Sequence, residues 1–306
     1  MDRPKILVIG SANIDLVARV SRSPKPGETL IGTSFKTLPG GKGSNQAVAA
    51  ARLGAHTRFA GCVGEDSFGA MLRRTLGEAG VDTAYLRTHP SEATGTAMIF
   101  VAEDGQNSIV VIPSANLGIT PHDIQALAPV FRDVDVVLLQ LEIRLDAVEA
   151  ALELARKAGV LSVLDAGPAQ QTPESIIKKA DIVSPNETEA EAMTGIAVQS
   201  TDDAIAAAKA LREIGAREVV LKLGANGSLY LGEECLHAPA FQVDPVDTTA
   251  AGDAFTAALA CVWRSRPRRE ALRFANAAGA LAATVAGAQP SMPTRDAVLK
   301  LEGDRG

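Results

Sequence analysis

Asp253 closes the run Asp247-Thr248-Thr249-Ala250-Ala251-Gly252-Asp253, directly ahead of an apolar stretch at 256–263 that reads as a helix. The small residues Ala250, Ala251 and Gly252 leave the first backbone N–H groups of that helix uncovered. Those amides and the helix dipole make a pocket for negative charge. If the pocket only bound an anion, the Asp253 carboxylate would repel it. The acid makes sense if it takes the proton from an attacking hydroxyl while the amides stabilise charge on a moving phosphoryl group. Capping of the helix is the simpler alternative for an isolated Gly-Asp.

A second run, Pro39-Gly40-Gly41-Lys42-Gly43-Ser44-Asn45-Gln46, weakens that alternative. Its three glycines allow close approach of the backbone to a ligand, and Asn45 can fork hydrogen bonds to vicinal hydroxyls. It is not a Walker A loop, because position 36 is not glycine and position 43 is neither Ser nor Thr. The chain also lacks GxGxxG followed by an acid, which argues against a dehydrogenase. Asn13 and Asp15 share one side of an extended segment after the first strand, where they can bind hydroxyls or form a turn. Asn186 and Glu189 share a helix face at i, i+3 and suit either phosphate with hydrated Mg²⁺ or a plain cap. The turn Leu223-Gly224-Ala225-Asn226-Gly227 suits an adenosine moiety or a tight connection.

Bulk properties narrow the class. The 306 residues carry a net charge of −6, so no overall positive field draws nucleic acid or an anionic membrane. No stretch reaches the length and apolarity of a membrane span, and the N-terminal apolar run 6–9 is too short for a signal segment. Cys62, Cys235 and Cys261 are scattered without CxxC spacing, and the four histidines show no ligand spacing. A reducing, cytoplasmic setting without disulfides is expected.

The elements that must position these residues are strands alternating with helices. Strands are expected at 5–9, 57–63, 134–139, 161–165, 181–184 and 218–222, and helices at 43–51, 67–79, 145–158 and 201–214. This alternation argues for a mostly parallel sheet covered on both faces, an α/β three-layer sandwich in one domain spanning 1–306. Alternating segments at 15–19 and 28–35, and a hairpin of 96–101 and 108–112 around Asp104-Gly105, are expected to pair as a small β-sheet lid within 12–40 and 95–115. The C-terminal third reads as helices at 250–264, 268–285 and 295–301.

With these residues in hand, the chain resembles the ribokinase (PfkB-type) carbohydrate kinase family from end to end. The resemblance rests on Gly40-Gly41-Lys42-Gly43-Ser44-Asn45-Gln46-Ala47 and Asp247-Thr248-Thr249-Ala250-Ala251-Gly252-Asp253, about 200 residues apart in the order the family requires. It implies the family's α/β sandwich with a β-lid and ATP-dependent phosphorylation of a sugar hydroxyl, with the 5-hydroxyl of ribose as the expected acceptor. It implies Asp253 as base and Ala250, Ala251 and Gly252 as the anion hole. By the same resemblance Asn13, Asp15, Gly41, Lys42, Gly43, Asn45 and Glu142 would bind sugar alongside Asp253. Asn186, Lys222, Gly224, Ala225, Gly227, Gly252 and Asn276 would bind nucleotide. Lys222 departs from the threonine frequent in the family's ribose-specific members. Glu189 would organise Mg²⁺, and Asp247, Thr249, Ala282, Val285, Gly287 and Ser291 would hold an activating K⁺.

Deoxyribose, fructose, 2-keto-3-deoxygluconate and nucleosides remain open as acceptors, and a non-catalytic sugar-binding regulator would be expected to lose the base or the anion hole. Low aromatic content (4%) disfavours a nucleobase acceptor, which usually wants a stacking surface. The exposed edges of a small lid sheet suggest a homodimer formed through the lids.

Overall fold

The computed structural model describes residues 3–303. Two sheets organise it. The larger has nine strands in the order β13-β12-β11-β10-β9-β8-β1-β4-β5. Its middle is formed by β1 (Lys5–Ile9), β4 (His56–Gly64), β8 (Val136–Leu139), β9 (Leu161–Asp165), β10 (Ile182–Ser184) and β11 (Glu218–Lys222), and β5 (Asp82–His89) lies at one edge. Neighbours are parallel from β5 to β11, while β12 (Ser228–Leu231) and β13 (Cys235–Ala238) extend the other edge antiparallel. Strand β1 reads Lys-Ile-Leu-Val-Ile and buries every residue after the first, as a strand covered on both faces must.

Helices supply that cover. On one face lie α1 (Lys42–Arg52), α2 (Ser67–Glu78), α9 (Ala251–Val262), α10 (Arg268–Ala283) and α12 (Arg295–Gly303), packed around Ile6 and Val8. On the other lie α3 (Pro121–Ala126), α4 (Ala128–Phe131), α5 (Leu145–Ala158), α6 (Glu174–Ile177), α7 (Glu187–Thr194) and α8 (Thr201–Ile214), packed around Leu7 and Ile9. The short α11 (Ala288–Ser291) sits beside α1. The alternating apolar residues of β1 thus feed two separate cores, which is the three-layer α/β sandwich expected from the sequence.

The second sheet has the order β3-β2-β6-β7, built from β2 (Asn13–Arg19), β3 (Ser34–Gly40), β6 (Gly95–Val101) and β7 (Asn107–Ile112). Of the segment at 28–35 only the last two residues are strand: β3 begins at Ser34 and runs on through Pro39 and Gly40. Those two residues look like turn residues, yet β3 is the sheet's edge and pairs only with β2, so a proline without an N–H is tolerated there. Strand β2 opens with Asn13 paired beside both Gly40 and Gly95, so three loops of the large sheet meet at this corner.

Strand order reverses around β1: the chain moves from β1 to β4 and β5 on one side, then from β8 to β11 on the other. In open parallel sheets the crevice beyond the carboxyl ends of the strands at such a reversal is where ligands bind.

Candidate active site

The residues expected to act together do meet at that crevice. Helix α1 begins at Gly41, whose φ of +90° is costly for any residue with a Cβ, and an added Cβ would lie 2.7 Å from the Asn13 amide nitrogen. Gly43 packs just as closely on the backbone of Gly10 and Ser11. The glycines therefore let the start of α1 lie directly on the β1 end, which delivers Asn45 and Gln46 to the crevice floor. Helix α9 arrives from the far end of the sequence. Its N-cap, Ala250, is in the left-handed region at φ +60° and supplies no side-chain cap; the Ala251 amide turns back to the Thr248 carbonyl at 3.2 Å, and the Gly252 amide is left uncapped by any side chain.

Asp253 is buried at the meeting point. Asn45 Nδ2 donates to its Oδ2 at 3.0 Å and Gln46 Nε2 to its Oδ1 at 3.1 Å. Burial is the largest influence on this carboxyl and raises it; Lys42 lowers it, Asp165 raises it, and the result is about 6. Asp15 is likewise pushed up to about 7, by burial and then by the charges of Glu142 and Asp253. Glu142 follows β8 and accepts from Ser11 Oγ at 2.5 Å and the Lys42 amide at 3.1 Å. Asn13 is oriented by Asn116, whose Nδ2 donates to Asn13 Oδ1 at 2.7 Å.

Lys42 faces Asp253, Asp165, Glu189 and Glu142; burial opposes its charge, but these acids raise its pKa above the ordinary lysine value. Lys222, at the end of β11, is also buried, 3.0 Å from Asp165 Oδ1 and 3.6 Å from Glu189 Oε2. A Cβ on Gly252 would lie 3.9 Å from its Nζ, so Lys222 faces the open first turn of α9.

Beyond Asp253 the crevice continues as a cavity of about 510 Å³. Lys42, Asn186, Glu189, Lys222, Gly252 and Asp253 are its charged and polar lining, and Gly224, Ala225, Gly227, Asn276, Phe241, Val243, Ala280 and Ala283 contribute a mostly apolar wall. Asn186 and Glu189 form a capping box, with Glu189 Oε2 accepting the Asn186 amide at 2.7 Å and Asn186 Oδ1 accepting the Glu189 amide at 2.8 Å. Asn276 donates to the carbonyls of Ala238 and Pro239 at 3.0 and 3.1 Å, fixing the cavity wall. Among the described residues no three His, Cys, Asp or Glu side chains are placed to cage a metal ion. A divalent cation would fit only by sharing a nucleotide's phosphates with water and Glu189.

The expected K⁺ residues are brought together in part. Asp247 Oδ1 accepts the Thr249 amide and Oδ2 the Gly287 amide, both at 2.9 Å, and the Val246 and Asp247 amides bond to the Ala283 carbonyl. Burial would raise the Asp247 carboxyl, but hydrogen bonds from Thr249 and Gly287 hold it below the usual aspartate value. The Ala282 carbonyl accepts the Val285 amide at the same turn, and Val285 is exposed. Ser291 bonds to the Ala288 carbonyl at 2.7 Å.

Four residues without an assigned role in the sequence reading also belong here: Gln46, Gln140, Asp165 and Thr256. Gln140 Nε2 donates to Gln46 Oε1 at 2.6 Å, and Asp165 accepts from Gln46, Thr256 and Lys222. The available signal was an acid closing an otherwise apolar strand, Leu-Ser-Val-Leu-Asp, at its carboxyl end.

Known proteins resemble this chain over nearly its whole length. The family model described as pfkB family carbohydrate kinase matches residues 3–295. The chain is 39% identical to a ribokinase of Haemophilus influenzae, over 97% of this chain and 98% of that one. It is 37% identical to a deoxyribokinase of Salmonella typhi, over 94% of this chain and 95% of that one. It superposes on the structure of Arabidopsis thaliana ribokinase complexed with ribose and ATP with a TM-score of 0.91, at 37% identity, covering 98% and 99% of the two chains.

Proposed function

This chain belongs to the pfkB family of carbohydrate kinases, and from that premise we propose that it transfers the γ-phosphate of ATP to the 5-hydroxyl of ribose, giving ribose 5-phosphate. The observation that carries the reading is the convergence of a buried carboxylate and the bare start of α9 between a polar crevice and a cavity of about 510 Å³.

Asp253 accepts the proton of the attacking hydroxyl. Asn45 and Gln46 hold its two oxygens, so the remaining lone pairs keep a fixed direction. Asn13, Asp15, Gly41, Lys42, Gly43, Asn45 and Glu142 form the sugar's side of the crevice. Asn45 Oδ1 is buried without a hydrogen-bond partner, and a ligand hydroxyl would supply one. Ala250, Ala251 and Gly252 would form the anion hole for the transferred phosphoryl group, with the Gly252 amide as its uncapped donor, the Ala251 amide released from the Thr248 carbonyl, and Lys222 opposite. Asn186, Gly224, Ala225, Gly227 and Asn276 flank the nucleotide. Glu189 would hold Mg²⁺ through water, where the ion would neutralise phosphate charge. Asp247, Thr249, Ala282, Val285, Gly287 and Ser291 would hold K⁺ beside the anion hole.

Asp15 and Asn45 can each pair with a hydroxyl, which favours a fully hydroxylated pentose over its deoxy counterpart. The second sheet acts as a lid that excludes water from the activated phosphate, and two chains pair through it as a homodimer. A coupled assay with ATP and Mg²⁺ across ribose, deoxyribose, fructose, 2-keto-3-deoxygluconate and nucleosides tests the reading. Ribose should give the highest kcat/KM. Preference for another acceptor would replace ribose, and no phosphorylation of any would remove the kinase.

A further inference from the structure

Asp165 does not line the cavity, yet it joins three of the elements that shape the transfer site, α1, α9 and β11. The carboxylate is fully buried at the end of β9. Lys222 Nζ and the Gly167 amide donate to Oδ1 at 3.0 and 3.2 Å. Gln46 Nε2 and Thr256 Oγ1 approach Oδ2 at 2.9 and 3.0 Å. Each partner leads elsewhere. Gln46 gives its other amide hydrogen to Asp253 and receives Gln140 on its oxygen, so it has no freedom to flip. Thr256 Oγ1 also lies 3.0 Å from the Gly252 carbonyl, inside the turn whose amides face the phosphoryl position. Lys222 faces that same turn from β11.

We propose, on the kinase reading above, that Asp165 is the positioning residue that locks the base, through Gln46, and the phosphoryl cradle, through Thr256 and Lys222, into one frame. A buried acid with no apolar alternative costs stability unless its partners all use it; here four donors on α1, α9, β11 and its own turn do. Asp165 also sets the charge around Asp253, together with Lys42 on α1, Asp15 on β2, Glu142 after β8, Glu189 on α7 and Lys222 on β11. Its negative charge makes Asp253 a stronger base, and Gln46 carries no charge that could compensate for its loss.

The test compares the unmodified enzyme with Asp165→Asn, Thr256→Val and Asp165→Asn/Lys222→Met, measuring kcat and KM for ribose from pH 5 to 9. Phosphorylation of ribose by the unmodified enzyme tests the underlying reading separately. Asp165→Asn should lower kcat on the order of 10- to 100-fold with KM for ribose little changed. It should also move the acid limb of kcat down by about one pH unit, because one negative neighbour of Asp253 is lost while Lys42 remains. The double variant should return the limb toward its original position, which a merely structural role of Asp165 would not produce. Thr256→Val, which keeps shape and charge, should lower kcat without moving the limb, and it stands as the test if the asparagine variant fails to fold. A limb and kcat within twofold of the unmodified enzyme in Asp165→Asn, or in Thr256→Val a loss confined to KM, would overturn the proposal.

Discussion

Asn45 and Asp253 lie 208 positions apart in the chain and meet at 3.0 Å, with the amide of one holding a carboxylate oxygen of the other. The pair ties the glycine-rich start of α1 to the start of α9, and its two members have separable duties. Asp253→Asn keeps the size and the contact surface but cannot accept a proton. It should fold, bind sugar by calorimetry, and lose ~10²–10⁴ in turnover. Normal turnover would end the assignment of Asp253. Asn45→Ala should raise the KM for sugar as well as lower kcat, because its free Oδ1 and its brace on Asp253 are lost together.

The acid side of the pH profile follows from the same carboxylate. Burial pushes Asp253 up to about 6, and the proposed base must be ionised to act, so turnover at saturating sugar should fall as pH drops through 6. The apparent value belongs to the coupled cluster that includes Asp15. The sign for stability is opposite to that of a salt-bridged acid. The unfolded carboxyl titrates at 3.8, so between 3.8 and about 6 the folded chain holds a proton that the unfolded chain has released. The contribution of Asp253 to stability therefore declines as pH rises through that window. Urea unfolding should show Asp253→Asn gaining relative to the unmodified protein between pH 4 and 7; a constant difference would contradict the raised value.

The K⁺ site proposed beside Asp247 carries a salt-specific effect on rate. Replacing KCl with choline chloride at constant ionic strength should depress turnover severalfold, since choline is too large to stand in for K⁺. Asp247→Ala should erase most of the difference between the two salts. Equal rates of the unmodified enzyme in both would remove the cation site.

Much of this site was visible in the sequence because its parts are local. The starts of α1 and α9 carry their glycines, alanines and polar residues within a few positions, and the capping box Asn186/Glu189 is a single helical turn. Asp165, Gln140 and Thr256 were not, since each gains its meaning from a partner far along the chain, such as Thr256 and Asp165 at 91 positions. The apolar runs of the central strands were equally plain. The strands at the sheet edges were not: β5 buries few of its side chains, and β12 and β13 form an antiparallel extension that breaks the rhythm of the parallel core.

The second sheet leaves an edge to explain. Strand β7 is exposed along its whole length, and Phe35, Met98, Ile109, Val110, Val111 and Ile112 all present apolar surface. A free edge with such a surface invites a second chain. Sedimentation velocity should give twice 31.7 kDa, and Val110→Glu should yield a monomer with weakened sugar binding. A monomeric unmodified protein would remove the dimer.

Two glycines separate the constraints of the site from those of the scaffold. At Gly43 a Cβ would sit 2.7 Å from both Gly10 C and Ser11 N, and neither neighbour is a side chain that could rotate away. Gly43→Ala must therefore push the start of α1 off the β1 end, carrying Asn45 and Gln46 out of reach of Asp253. It should cost ~1–3 kcal/mol of stability and most of the turnover. At Gly77, on the exposed side of α2, nothing lies within 4 Å of an added Cβ. Gly77→Ala should leave kcat and KM unchanged and add about 0.5–1 kcal/mol, because alanine loses less backbone entropy in a helix. Denaturant melts paired with the coupled assay read both. Full activity in Gly43→Ala would show that α1 can shift without disturbing the base, and the close fit between α1 and β1 would then be a matter of packing alone.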